Sequence, residues 1–145
     1  MQDGTEPYMN LYKNMQMVFD NLKPVKVTYE GKVYPCAYSA YLAARTSNMM
    51  LRQMCAETTS IKRLEEIKAL IPVEKDWLDK RESVLYRILK ERFINDNISR
   101  KALLDADNLV YYSPNIYWGV NHVTGVGKNT LGRLLKVLKE ELTTK

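Results

Sequence analysis

Apolar and polar positions alternate through Val25-Lys26-Val27-Thr28-Tyr29, break at Glu30-Gly31, and resume at Lys32-Val33-Tyr34. A period of two broken by a two-residue turn predicts a small N-terminal β-hairpin, closed by Pro35. Beyond it the period lengthens. Helices are expected over Ser39–Arg45 and Ser47–Ala56, with Ser47 as N-cap. Ile61, Leu64, Ile67 and Leu70 recur at three-residue steps, which predicts a helix over Ser60–Leu70 stopped by Pro72. The longest helix is expected over Asp76–Ile94, with Asp76 as cap and an apolar stripe of Trp77, Leu78, Val84, Leu85, Ile88 and Leu89. A short helix over Ser99–Leu104 and a short strand over Leu109–Tyr112 follow. Ser113–Gly127 reads as a long irregular loop, of the kind that is usually functional or disordered; its aromatic residues argue against disorder. Leu131, Leu134, Leu135, Leu138 and Leu142 stripe a last helix over Thr130–Leu142. Residues 1–8 read as a flexible tail, and Met9–Asn21 shows no clear period.

These elements define an α+β chain, mainly α-helical, and with 145 residues and no internal repeat a single compact domain over 9–145 is expected. Composition changes this picture little. A 46% apolar and 27% charged chain is ordinary for a globular protein. No window approaches the ~18 apolar residues that span a bilayer, and the N-terminus has no apolar signal segment, so a cytoplasmic protein away from membranes is expected. Cys36 and Cys55 lack metal-ligand spacing and read as free thiols. His122 has no cluster of ligands around it, so neither metal nor cofactor is expected. The net charge of +5 suits an anionic small ligand but is too weak to argue for nucleic acid.

Two segments invite a ligand. Gly125-Val126-Gly127-Lys128-Asn129-Thr130 is not a phosphate loop: His122 stands at the first glycine position and Asn129 where Ser or Thr would meet magnesium. It still leads a Gly-rich turn into a helix N-terminus, where unpaired amides favour an anion. Trp118-Gly119 offers either a stacking wall for a base or a buried loop anchor, and Trp77 carries the same ambiguity.

In order, these pieces resemble the NADAR family, whose members are linked to ADP-ribose chemistry and include N-glycosidases of riboflavin intermediates. Phe19-Asp20-Asn21-Leu22 resembles its opening element, and Val27–Pro35 the segment before its first helix. Asp76-Trp77 with Arg81, then Arg92-Phe93, resemble its central helix. Trp118-Gly119 followed by Gly127-Lys128-Asn129-Thr130-Leu131-Gly132 and Leu134-Leu135 resembles its terminal signature. The match runs over about residues 15–142 and implies a compact, mainly helical α+β fold. The departures carry as much meaning. Tyr38 stands at the glutamate of the family's first-helix motif, Ser39 at its histidine and Arg45 at its lysine. Asn115 falls at the aspartate before Trp118, with a one-residue ambiguity.

Breaking an N-glycosidic bond builds positive charge on a sugar, which calls for a carboxylate and a proton-transfer group. Tyr38 and Asn115 supply neither at neutral pH, and Arg45 does not give up its proton. What the resemblance leaves is binding. The ligand-binding set expected is Tyr38, Arg45, Trp77, Asn115, Trp118, Gly119, Lys128 and Asn129, with no catalytic residue. The ligand expected is ADP-ribose, cyclic ADP-ribose or a related nucleotide, held without hydrolysis, as by a viral sponge in host cytoplasm that sequesters an immune signal. The alternatives are an active N-glycosidase using another acid, such as Glu30, Asp76 or Glu82, and recognition of ADP-ribosylated nucleic acid. Homo-oligomerisation stays open.

Overall fold

The computed structural model describes residues 19–72, 74–113, 115–121 and 123–144. The tail expected over residues 1–8, most of the Met9–Asn21 segment and His122 lie outside them. The chain divides into two compact units, one spanning Leu22–Asp96, the other built on Asn97–Lys145 with Phe19–Asn21 grouped into it.

In the first unit β1 (Val27–Tyr29) and β2 (Lys32–Tyr34) pair antiparallel, with Val27 opposite Tyr34 and Tyr29 opposite Lys32. The turn is the one expected. Glu30 (φ 47°) and Gly31 (φ 83°) are both left-handed, the geometry of a two-residue hairpin turn that follows strand twist. Val27 and Tyr29 are buried while Thr28 faces out, so the hairpin lays one face on the core. Four helices follow: α1 (Ala37–Ala43), α2 (Met49–Ala56), α3 (Ile61–Lys68) and α4 (Trp77–Asn95). All seven residues of α1 are buried, and α2, α4 and the hairpin pack around it. Such a helix must be lined by small and aromatic side chains, and Ala37, Ala40 and Ala43 let its neighbours approach closely.

Several expected boundaries move. The first helix begins at Ala37 rather than Ser39, because the extended Cys36 after Pro35 already serves as its N-cap. Ser39 sits inside it and donates its hydroxyl to the Thr58 carbonyl (2.8 Å). The cap of α2 is Asn48, not Ser47: the Asn48 Oδ1 accepts from the Leu51 amide (3.0 Å). Ser60 caps α3, its hydroxyl accepting from the Arg63 amide (3.3 Å). Asp76 precedes α4 but makes no side-chain cap bond, lying instead 3.6 Å from Lys80. Leu78 is 58% exposed and leaves the stripe; Trp77, Val84, Leu85, Ile88, Leu89 and Phe93 form it, with Arg81 and Arg92 buried on the same helix.

The second unit contains α5 (Asn97–Asp105) and α6 (Thr130–Thr143), packed on each other, with the long loop between them. Leu131, Leu135, Leu138 and Leu142 are the buried stripe of α6; Leu134 is half-buried. The strand expected over Leu109–Tyr112 does not form. Its partner is a side chain: Asn129 Oδ1 accepts from the Tyr111 amide (2.8 Å) and Asn129 Nδ2 donates to the Leu109 carbonyl (3.0 Å). Beyond that, only an isolated parallel bridge links Tyr112 to Val120. Asn129 stands in the left-handed region (φ 53°), which asparagine tolerates better than most residues. Replacing Asn129 by alanine strands a buried donor and acceptor and removes that tolerance. Urea unfolding is expected to show a loss of about 2–3 kcal/mol, from the two lost bonds; a loss under 0.5 kcal/mol would show the amide clamp to be incidental.

Candidate functional site

The expected ligand residues fall into two groups, one in each unit. In the first unit, Tyr38 and Tyr41 are one turn apart on α1, and their rings lie 6.3 Å apart at 21°. The Tyr41 ring meets the Trp77 indole edge-on at 5.3 Å. The guanidinium of Arg45 sits 5.7 Å from the Trp77 ring centre. Arg45 gets there because the chain continues one tight turn past α1: its amide donates to Leu42, and the Thr46 amide to Ala43. Three of the eight expected residues are thus brought together as a continuous ladder, Tyr38–Tyr41–Trp77–Arg45. Tyr38 and Trp77 are buried and Arg45 is half-exposed.

Two details give the ladder polar character. The Tyr38 hydroxyl donates to Glu65 Oε2 of α3 at 3.4 Å. The indole N–H of Trp77 is buried and finds no acceptor among the described residues. Beside Arg45 lies a cavity of about 430 Å³ bordered by Arg45, Thr46, Ser47, Asn48, Leu70, Pro72 and the carboxylate of Glu74, which pairs with Lys80 at 3.8 Å. It therefore joins a guanidinium to the N-terminal end of α2, two features that favour an anion. Of the three alternative acids, Glu30 pairs with Arg52 at 2.8 Å and Asp76 with Lys80 at 3.6 Å, while Glu82 is half-buried on α4. Ser39 commits its proton to the Thr58 carbonyl, and the Cys36 thiol donates to it at 3.2 Å.

In the second unit the expected residues are built into the backbone. Asn115 Oδ1 accepts from the amides of Tyr117 (3.0 Å) and Trp118 (3.1 Å), and the Asn115 carbonyl from Gly119 (2.9 Å). Trp118 is fully buried, its ring edge-on to Tyr117 at 4.8 Å. Lys128 is exposed, its ammonium 5.6 Å over the Tyr117 ring. The anion cradle expected at the start of α6 is closed. The amides of Lys128, Asn129, Thr130 and Leu131 donate to the carbonyls of Ile116, Gly119, Tyr117 and Trp118. This docking needs bare backbone. A Cβ on Gly119 would stand 2.3 Å from the Tyr111 carbonyl oxygen, and one on Gly127 2.2 Å from that of Gly119. The glycines serve close approach of chain to chain.

Sequence reasoning missed Tyr41 and Glu65. Tyr41 was findable, three residues after Tyr38 on a helix. Glu65 was not, since its contact spans 27 residues with no local signal. Among the described residues no cluster of His, Cys, Asp and Glu can hold a metal, and no helix is long and apolar enough to cross a membrane.

The model of the NADAR domain matches residues 2–143, so the chain belongs to the NADAR family. A riboflavin biosynthesis protein of Vibrio vulnificus (strain YJ016) is 25% identical over an alignment of 133 residues that covers 84% of this chain but 34% of that protein, so the chain spans about a third of its length. The NMR structure of the Escherichia coli protein YbiA superposes with a TM-score of 0.78 at 25% identity, over 97% of this chain and 87% of that one. The mainly helical α+β fold with its small hairpin is thus the family's.

Burial governs the thiol chemistry. Cys55 is fully buried, and desolvation, which penalises the thiolate, pushes its pKa up to about 11; Arg52 works weakly against this. A thiol raised above its ordinary value of 9.0 contributes stability below that pH and loses it on ionising. Thermal unfolding temperature is expected to fall as pH rises from 9 towards about 11, and to fall less in Cys55→Ala. Equal falls in both proteins would show that Cys55 is not the group responsible.

Proposed function

We propose that this chain binds an ADP-ribose-type nucleotide, linear or cyclic, and does not cleave it. The observation that carries the reading is Arg45, whose cation is held over the Trp77 indole at the edge of a cavity large enough for a phosphate-bearing group. A guanidinium fixed by an aromatic face loses little freedom on gripping phosphate with its forked donors.

The absence of turnover is argued from side-chain chemistry. Where relatives of the family place a glutamate, a histidine, a lysine and an aspartate, this chain has Tyr38, Ser39, Arg45 and Asn115. None of these ionises to a base at neutral pH, and Ser39 and Asn115 already spend their polar atoms on the backbone. Sequestering a signalling nucleotide, in the manner of a viral sponge, is the role we attach to such binding.

One observation favours a second reading, an active N-glycosidase of the kind the family includes. Glu65 brings a carboxylate to the Tyr38 hydroxyl, the place where the resemblance puts the family's acid. Under that reading Glu65→Gln abolishes cleavage of an ADP-ribosyl bond; under the binding reading there is none to abolish.

Calorimetric titration with ADP-ribose, NAD and cyclic ADP-ribose tests the first reading. Saturable binding of at least one of them is expected, weakened about tenfold or more in Arg45→Ala, the effect of removing one charge-assisted hydrogen bond. Binding to none of the panel, or undiminished binding by Arg45→Ala, would overturn it.

A further inference from the structure

The second unit carries a groove of about 630 Å³, a volume typical of small-molecule sites. One wall is the segment after α5, residues 106–110, which forms neither helix nor strand. The other wall is α6. The half-buried Leu109 and Val110 make its apolar floor, where Gly132 leaves the helix without a side chain. A Cβ on Gly132 would stand 2.2 Å from the Leu109 carbonyl oxygen, so the two walls close at their base only because that position is glycine.

Three cations of α6 line the same groove at three-residue steps: Arg133, Lys136 and Lys139. Their partners are neutral. Arg133 donates to the Lys128 carbonyl (3.0 Å) and to the Thr130 hydroxyl (3.0 Å). The Lys139 ammonium donates to the Ala106 carbonyl. Lys136 is exposed and makes no hydrogen bond or ion pair among the described residues. Asp107 and Glu140 line the groove as well, yet neither forms an ion pair with any of the three. Three cations against two carboxylates, beside an apolar floor, leave the groove with a net positive charge and with Lys136 unpaired among the described residues.

We propose that this groove binds a small amphiphilic anion, its apolar or planar body lying on Leu109 and Val110 and its acid group on Lys136 and Lys139. The site shares no residue with the Arg45–Trp77 ladder and stands independently of the nucleotide reading. Carboxylate and phosphate share the required chemistry, and competition distinguishes them.

The probe is 8-anilinonaphthalene-1-sulfonate, an apolar ring system bearing one anion, titrated into the full chain by fluorescence. A saturable, single-site enhancement is expected, weakened about tenfold or more in Lys136→Glu and retained in Lys136→Arg. Lys136 is exposed, so both variants are expected to unfold at the wild-type temperature. Arg45→Ala is expected to bind the probe as wild type does, which separates this site from the nucleotide site. Displacement by benzoate or by phenyl phosphate identifies the preferred acid group. Non-saturable enhancement, or equal binding by Lys136→Glu, would overturn the proposal; so would displacement by neither small anion but by an extended acidic peptide.

Discussion

Four consecutive backbone amides at the start of α6 are taken by four carbonyls of the loop that precedes it. That constraint decides how the second unit is read. An open helix N-terminus preceded by glycines would be an anion site; here the amides have no capacity left. The residues that resemble the family's terminal signature therefore have structural work to do. Asn129 clamps the Leu109–Tyr111 segment, Gly119, Gly127 and Gly132 permit three close backbone approaches, and Asn115 turns the chain at buried Trp118. A loop of this length that buries Ser113, Trp118 and Gly119 must satisfy the backbone it takes from water, and side-chain amides do much of it.

In the first unit the proposed reading gives a phosphate-bearing ligand to Arg45 and the N-terminal end of α2. The ladder Tyr38–Tyr41–Trp77–Arg45 is physically a cation braced by stacked apolar surface. Such an arrangement grips well and moves protons poorly, because arginine stays charged and the rings carry no base near neutrality. Glu65 is the exception that keeps catalysis in view, as it supplies an acid from α3 at the hydroxyl of Tyr38.

Elements whose stability is local were legible in the sequence. The hairpin was legible from the Glu30-Gly31 turn between alternating strands, and α6 from its leucine stripe. Where a neighbour decides, the pattern misled. Leu109–Tyr112 has the composition of a strand but meets a side-chain amide in place of a second strand. Ser47 and Asn48 are equally good caps by type, and only the backbone turn after Thr46 selects Asn48. Leu78 fits an apolar helical stripe, yet α4 turns it outward. In the site, Tyr38, Arg45 and Trp77 were legible through family resemblance, whereas Glu65 reaches Tyr38 across the fold and leaves no trace in local spacing.

The central claim is grip without cleavage, and the fate of a bound nucleotide tests it most directly. The chain would be saturated with cyclic ADP-ribose, freed of excess ligand, held at neutral pH and then denatured, with the released molecules resolved by chromatography. Recovery of intact cyclic ADP-ribose in stoichiometric amount is predicted. Linear ADP-ribose or free adenine accumulating beyond a protein-free control would contradict the account.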